Sequence, residues 1–270
     1  MWYDYSKVLS YNAMFNFILG ERGVGKTYGA KKYAINRYLK KGEQFVYLRR
    51  YKTELKEACG DTGKFFGAMY DEFPDQDFKM NGQKIMCGKK IMGYALALSV
   101  ANILKSTTFN KVTTIIFDEF ILDKGSYHYL QNEVEQLLDV VETIARLRDI
   151  RVFFLGNAIS ITNPYFTYFN LSLPYNSDMK TFKDGLIVVN YIKNLHYREV
   201  KHKSRFGRLI AGTAYSNYAI DNEFLRDSKT FIKKKSQNAQ HYFIFKYHGE
   251  TYGVWNDWKE GEIYFSKSYD

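Results

Sequence analysis

An α/β fold with a mostly parallel central sheet, followed by a small antiparallel β region near the C-terminus, is what three features of the sequence predict. Gly20-Glu21-Arg22-Gly23-Val24-Gly25-Lys26-Thr27 fits the pattern G-x-x-x-x-G-K-S/T in full and lies between a strand-like and a helix-like stretch. Thr113-Thr114-Ile115-Ile116-Phe117, four of whose five residues are β-branched, ends in the adjoining carboxylates Asp118 and Glu119. After Asp227 the pattern changes to short strand-like runs with glycine at the turns.

The first two elements frame the loop. Met14–Leu19 is a short apolar run of strand type, and within Tyr28–Lys40 the residues Ala30, Tyr33, Ala34 and Tyr38 recur at helical spacing. Glycines let successive N–H groups turn inward as an anion nest, and the new helix aims its positive end at the same point. The stretch therefore reads as the phosphate loop of a P-loop NTPase. Its backbone from Gly20 to Gly25 cradles ATP phosphates, Lys26 reaches the β- and γ-phosphates, and the Thr27 hydroxyl holds Mg²⁺.

Gln44–Leu48 reads as a second strand, ending in Arg49-Arg50-Tyr51-Lys52. Ligands gather at the C-terminal edge of such sheets, which places Lys52 and Lys56 to face DNA or phosphate, or simply water. Phe78–Met86 carries an Asn-Gly turn between short runs and reads as an inserted hairpin. The strand at 113–117 is expected beside the loop, with Asp118 holding Mg²⁺ and Glu119 orienting the attacking water. Asn132–Arg146 forms a helix with Val134, Leu137, Leu138, Val141 and Ile144 on one face. Val152–Leu155 is a fourth strand, with Asn157 at its tip to sense the γ-phosphate, hold the water or form a turn. Arg146 and Arg148, on the connection before it, are candidates for an arginine finger toward a neighbouring subunit, or for surface salt bridges.

Gly185–Val189 is a fifth strand, and Lys193–Arg208 reads as a basic linker with helical character. Thr230–Ile232, Tyr242–Tyr247, Tyr252–Trp255 and Ile263–Phe265 would make the C-terminal antiparallel sheet. The expected organisation is an ATPase domain over residues 1–192, a basic linker over 193–228 and a small β region over 229–270.

Composition narrows the function classes. Hydrophobic residues at 46% argue against global disorder. No apolar run reaches the roughly 20 residues of a membrane span, and Met1–Ser10, with Asp4 and several tyrosines, does not read as a signal peptide. Cys59 and Cys87 read as free thiols in a reducing cytosol. The five histidines show no metal-ligand spacing, and no Ser-His-Asp or Cys-His arrangement is present. The formal charge of +10 is unevenly spread: Lys193–Lys235 holds eleven Lys/Arg against four Asp/Glu, while residues 236–270 sum to −2. Such a segment suits a polyanion partner or a solvated face.

Glu-Gln-Phe-Val-Tyr-Leu-Arg-Arg-Tyr-Lys at 43–52, Ile-Ile-Phe-Asp-Glu-Phe at 115–120, Asn-Pro-Tyr-Phe at 163–166 and Arg-Phe-Gly-Arg-Leu-Ile-Ala-Gly-Thr at 205–213 resemble the phi-29-type phage DNA-packaging (encapsidation) ATPases. The likeness spans nearly the whole chain. It implies a member of the additional-strand (FtsK/HerA-like) division, forming a homo-oligomeric ring, a pentamer in that family. Such a ring pumps double-stranded DNA through a portal into a preformed procapsid, in the host cytoplasm and without a membrane partner, and a packaging RNA links it to the capsid. The family pattern puts the loop lysine at Lys26, the Mg²⁺ aspartate at Asp118, the catalytic glutamate at Glu119 and the trans finger at Arg146. Larger terminases use a loop arginine four positions before the lysine, which makes Arg22 a second finger or sensor. A DNA-facing lysine of the family falls at Lys105, with Lys52 a weaker candidate. The C-terminal β region would be the opening part of a vestigial nuclease-like domain. Rival readings are an ATPase that extrudes single-stranded DNA, usually membrane-anchored, and a nucleotide-gated clamp, which the Asp118-Glu119 pair disfavours.

Overall fold

The computed structural model describes residues 3–60, 62–100, 108–122, 128–157, 163–174, 177–192, 195–213, 235–247 and 249–266. In chain order the elements are α1 (Tyr5–Leu9), β1 (Phe15–Gly20), α2 (Lys26–Lys41), β2 (Gln44–Arg49), α3 (Lys52–Cys59), α4 (Thr62–Glu72), β3 (Phe78–Asn81), β4 (Lys84–Cys87), β5 (Lys90–Ala97) and β6 (Val112–Asp118). They continue with α5 (Glu133–Ala145), β7 (Arg151–Gly156), α6 (Pro164–Phe169), β8 (Met179–Phe182), β9 (Ile187–Ile192), α7 (Leu195–Lys203), α8 (Arg205–Ile210), β10 (Gln240–Tyr247), β11 (Glu250–Asp257) and β12 (Glu262–Ser266). The chain divides into two compact units, Met1–Leu225 and Arg226–Asp270.

The first unit is built on a nine-stranded sheet in the order β3-β4-β5-β2-β6-β7-β1-β9-β8. Its six central strands are parallel, and the antiparallel β3-β4 pair and β8 flank them. The central strands carry apolar side chains on both faces because helices cover both. Phe15, Phe17, Val46, Leu48, Ile115, Phe117 and Phe154 face one core with α5 and α6. Ile18, Phe45, Tyr47, Ile116, Phe153 and Leu155 face the other with α1, α2, α3 and α4. Phe17 and Phe154 stack at 4.1 Å between ring centres. Burial of each such ring contributes about 2–3 kcal/mol.

Two expectations are refined here. The strand ending in Asp118 reaches the loop at its tip, but β7 lies between it and the loop strand. The hairpin at 78–87 is not a separate insertion, because β4 pairs antiparallel with β5 and extends the sheet. Strand β5 had no clear signature, since Gly93, Ala95 and Ala97 dilute its β character.

At the N-terminal edge of the parallel strands, a cleft is lined by Arg37, Arg148, Arg151, Asn12, Tyr33 and Thr113, among others. Its arginines are taken up locally. Arg37 grips Glu43 through two bonds of 2.7 and 2.8 Å. Arg148 donates to the carbonyls of Asn110, Val112, Phe109 and Ile144. Arg151 donates to Tyr33 Oη and Asn12 Oδ1, each at 2.8 Å.

The second unit is a three-stranded antiparallel sheet, β10-β11-β12. Phe245 stacks on Tyr252 across the first strand pair, and Val254, Trp255 and Tyr264 are buried. The expected run at 230–232 lies outside the described residues. Among the described residues no helix is long and apolar enough to cross a membrane.

Candidate active site

The site lies where β1, β2, β6 and β7 end. Because these strands are parallel, their C-terminal tips share one edge of the sheet. The loop leaves β1 through three positive-φ glycines, Gly20 (+152°), Gly23 (+82°) and Gly25 (+86°). Gly20 also admits no side chain, since a Cβ there would lie 2.7 Å from the Ile192 carbonyl oxygen in β9. Gly25 then caps α2 at its N-terminus, so the helix's free N–H groups and positive end face the loop.

Lys26 is buried, and its Nζ donates to the carbonyls of Gly20 (3.1 Å) and Glu21 (2.6 Å). Burial pushes its pKa down to about 8, opposed by the charges of Asp118 and Glu21. The segment ahead of β1 braces the loop from outside. Tyr3 N–H donates to the Val24 carbonyl at 2.8 Å, and the Tyr5 hydroxyl to that of Lys26 at 2.6 Å. The Tyr5 ring lies so close to α2 that a Cβ at Gly29 would approach it to 2.5 Å.

Although β7 separates their strands, Thr27 and Asp118 meet: Thr27 Oγ1 donates to Asp118 Oδ1 at 2.9 Å. The other Asp118 oxygen accepts from the buried Tyr47 hydroxyl at 2.7 Å, and Arg49 Nη1 lies 3.6 Å from it. Burial pushes the Tyr47 phenol pKa well up, and the nearby Asp118 charge adds to this, so Tyr47 stays a donor. Glu119 follows in a left-handed conformation, φ +57°. Its side chain is half exposed and held by Arg49 Nη2 at 2.6 Å. Burial works against the Arg49 charge, but Tyr47, Glu119 and Asp118 outweigh it and hold its pKa above the ordinary value.

Asn157 follows β7 at the same edge, midway between the loop strand and the Asp118 strand. Arg22 is exposed at the loop tip. The basic stretch after β9 comes back to it: burial, the Arg22 charge and the Glu21 charge all act on Lys201 of α7, lowering its pKa on balance. Lys201 is thus a site neighbour that sequence reasoning placed in a linker.

Arg146 and Arg148 separate clearly. Arg146 caps α5 in an uncommon backbone conformation (φ +52°, ψ −114°), and its exposed side chain has no partner among the described residues. Arg148 spends its guanidinium on four carbonyls. Lys52 and Lys56 lie exposed one turn apart on α3. Lys105 lies outside the described residues. Arg49, Arg50 and Tyr47 were missed as site residues. Their only signal was the position of a strand end rich in cations.

A cradle of backbone donors, a lysine, and a hydroxyl meeting a carboxylate fit a nucleotide triphosphate with a divalent cation. Among the described residues no group of three or more His, Cys, Asp or Glu could hold a metal by itself.

Comparison with known proteins gives the same direction. The DNA packaging protein of Bacillus phage phi29 is 40% identical over 271 residues, covering all of this chain and 80% of that protein. A chain of the bacteriophage phi29 viral genome packaging motor assembly superposes with a TM-score of 0.74 at 40% identity, over 100% of this chain and 81% of that one. The N-terminal domain of the phi29 DNA packaging ATPase superposes with a TM-score of 0.67 at 39% identity, over 73% of this chain and 98% of that domain. The model of the Podovirus DNA encapsidation protein (Gp16) family matches residues 1–270, and this chain belongs to that family.

Proposed function

We propose that this chain is the ATP-hydrolysing subunit of a ring that drives double-stranded viral DNA into a preformed procapsid. Family membership makes it a viral DNA-packaging protein. The observation that supports the chemistry best is the meeting of Thr27 and Asp118 across the intervening strand, with Glu119 beside them.

The loop amides and Lys26 bind the triphosphate of ATP, Lys26 exchanging loop carbonyls for phosphate oxygens. Thr27 and Asp118 hold Mg²⁺, which when bound offsets charge on the phosphates. Glu119 accepts a proton from the attacking water and aligns it with the γ-phosphorus, and Asn157 and Arg22 are placed to sense the γ-phosphate. Arg49 fixes the Glu119 carboxylate in direction. Arg146, exposed and without a partner among the described residues, reaches the ATP of a neighbouring copy and offsets transition-state charge. A head-to-tail contact in which every copy completes its neighbour's site closes into a ring, a pentamer by family pattern.

DNA is gripped mainly through phosphates, with Lys52 and Lys56 on α3 and Lys105 as the candidate contacts, so binding is sequence-tolerant and weakens with salt. The ring works in the host cytoplasm, docked on the portal, with a packaging RNA as a further partner. Residues 1–192 carry the chemistry, 193–228 the basic connection and 229–270 the opening part of the nuclease-like region.

Glu119→Gln tests the reading. MgATP binding is retained, and steady-state turnover falls about a thousandfold. Wild-type turnover in that variant removes Glu119 from the role.

A further inference from the structure

Directly beside Arg49 lies a second arginine whose surroundings are quite different. Arg50 is fully buried, with none of its surface exposed. Its Nε and Nη2 donate to the two oxygens of Glu133 at 2.7 and 3.0 Å, and that carboxylate is equally buried. Glu133 is the first residue of α5. It also accepts from the Tyr165 hydroxyl at 2.6 Å and from Leu130 N–H at 2.8 Å. The guanidinium is planar and lies 4.9 Å from the centre of the Tyr129 ring.

The remaining donors of Arg50 go to one place. Nη1 donates to the carbonyl of Glu119 at 3.2 Å, and Nη2 to the carbonyl of Phe120 at 2.5 Å. On the other side Phe120 N–H donates to the Leu155 carbonyl of β7 at 3.2 Å. The turn that carries Glu119 is thus tied down through its main chain, in a left-handed conformation that a glutamate adopts only at a cost.

We propose that Arg50, locked by Glu133 and Tyr165, is a positioning residue for hydrolysis: it holds the Glu119 turn in the conformation that points the carboxylate at the attacking water. Rigid forked geometry is what the task needs, since one group must serve a carboxylate and two carbonyls at once. A lysine, with a single nitrogen, cannot span them. Arg49 orients the tip of the Glu119 side chain, while Arg50 orients the main chain beneath it. This rests on the proposed role of Glu119.

The test is kinetic, on this whole chain. Arg50→Lys, Glu133→Gln and Tyr165→Phe are compared with wild type for kcat, KM for MgATP and melting temperature. The expected result for Arg50→Lys and Glu133→Gln is a fall in kcat of about a hundredfold, because a small displacement of the aligning carboxylate suffices, with KM essentially unchanged. Tyr165→Phe, which loses one bond at one remove, falls by about threefold. In a Glu119→Gln background the same substitutions cost nothing further in residual turnover, since the group they aim has gone.

Wild-type kcat in Glu133→Gln, or an equal fractional loss with and without Glu119, overturns the inference. If Arg50→Lys does not fold, Glu133→Gln and Tyr165→Phe decide it alone. If Glu119→Gln itself turns over normally, the proposed function fails, a result distinct from an inactive Glu119→Gln beside a fully active Glu133→Gln.

Discussion

The two edges of the central sheet are both rich in arginine, yet they use it in opposite ways. At the N-terminal edge Arg37, Arg148 and Arg151 are engaged with Glu43, main-chain carbonyls and neutral side chains. Thr113 donates to Glu43 there, but among the described residues no glycine-rich anion cradle joins them. At the C-terminal edge Arg49 and Arg50 fix the acids and the turn that do the proposed chemistry, and the loop offers its N–H groups outward. The contrast teaches that a charged residue's role is set by what its partners leave unspent. Arg146 and Arg148, two residues apart, show this most sharply.

Replacing each of those two arginines is the strongest way to break the comparison. Arg146→Ala should cut turnover about a thousandfold or more while leaving thermal stability within about 0.5 kcal/mol. A drop in melting temperature instead of activity would make it structural. Arg148→Ala should do the reverse, lowering stability by about 2–4 kcal/mol through four abandoned carbonyls. Its ATPase rate per folded molecule should stay near wild type, as denaturant titration with a parallel rate assay would show.

Smaller effects sharpen the picture of the candidate site's edge. Tyr47→Phe removes the hydroxyl that holds one Asp118 oxygen, so the apparent Mg²⁺ affinity should fall about tenfold. Metal titration of the ATPase rate reads this, and an unchanged midpoint would detach Tyr47 from the metal. The smallest effect concerns pH. With the Lys26 pKa pushed down to about 8, the free protein loses that proton above pH 8, whereas bound triphosphate favours the ammonium. MgATP binding then takes up a proton, and affinity weakens as pH rises past about 8, by at most about tenfold per unit. Fold stability runs the other way, since the unfolded chain keeps the proton up to its ordinary 10.5 and this group's penalty eases from about 8 to 10.5. Nucleotide titrations at several pH values, with a flat profile counting against it, check the sign.

Much of this edge was legible because its chemistry is local in sequence. Eight consecutive residues make the cradle, and an apolar strand delivers Asp118 and Glu119 to its tip. The meeting of Thr27 with Asp118 was legible from the two motifs, but β7 standing between their strands was not, because strand order depends on which helices cover the sheet and leaves no mark on any one strand. Tyr47 looked like one more aromatic in a strand, and Arg50 like one more surface cation, since burial of a charge is decided by a distant partner such as Glu133. Helix α4 was missed where Gly63 and Gly67 weaken helical propensity, and α3 because it is only eight residues long. The basic stretch read as a linker because its charge, unlike its return toward Arg22, is visible in one dimension.

The strap formed by Tyr3 and Tyr5 has a practical side. Any affinity handle or fluorescent protein joined ahead of Tyr3 sits close to a hydrogen bond that shapes the proposed nucleotide loop. Handles at that end are therefore placed to perturb the very affinities they help to measure.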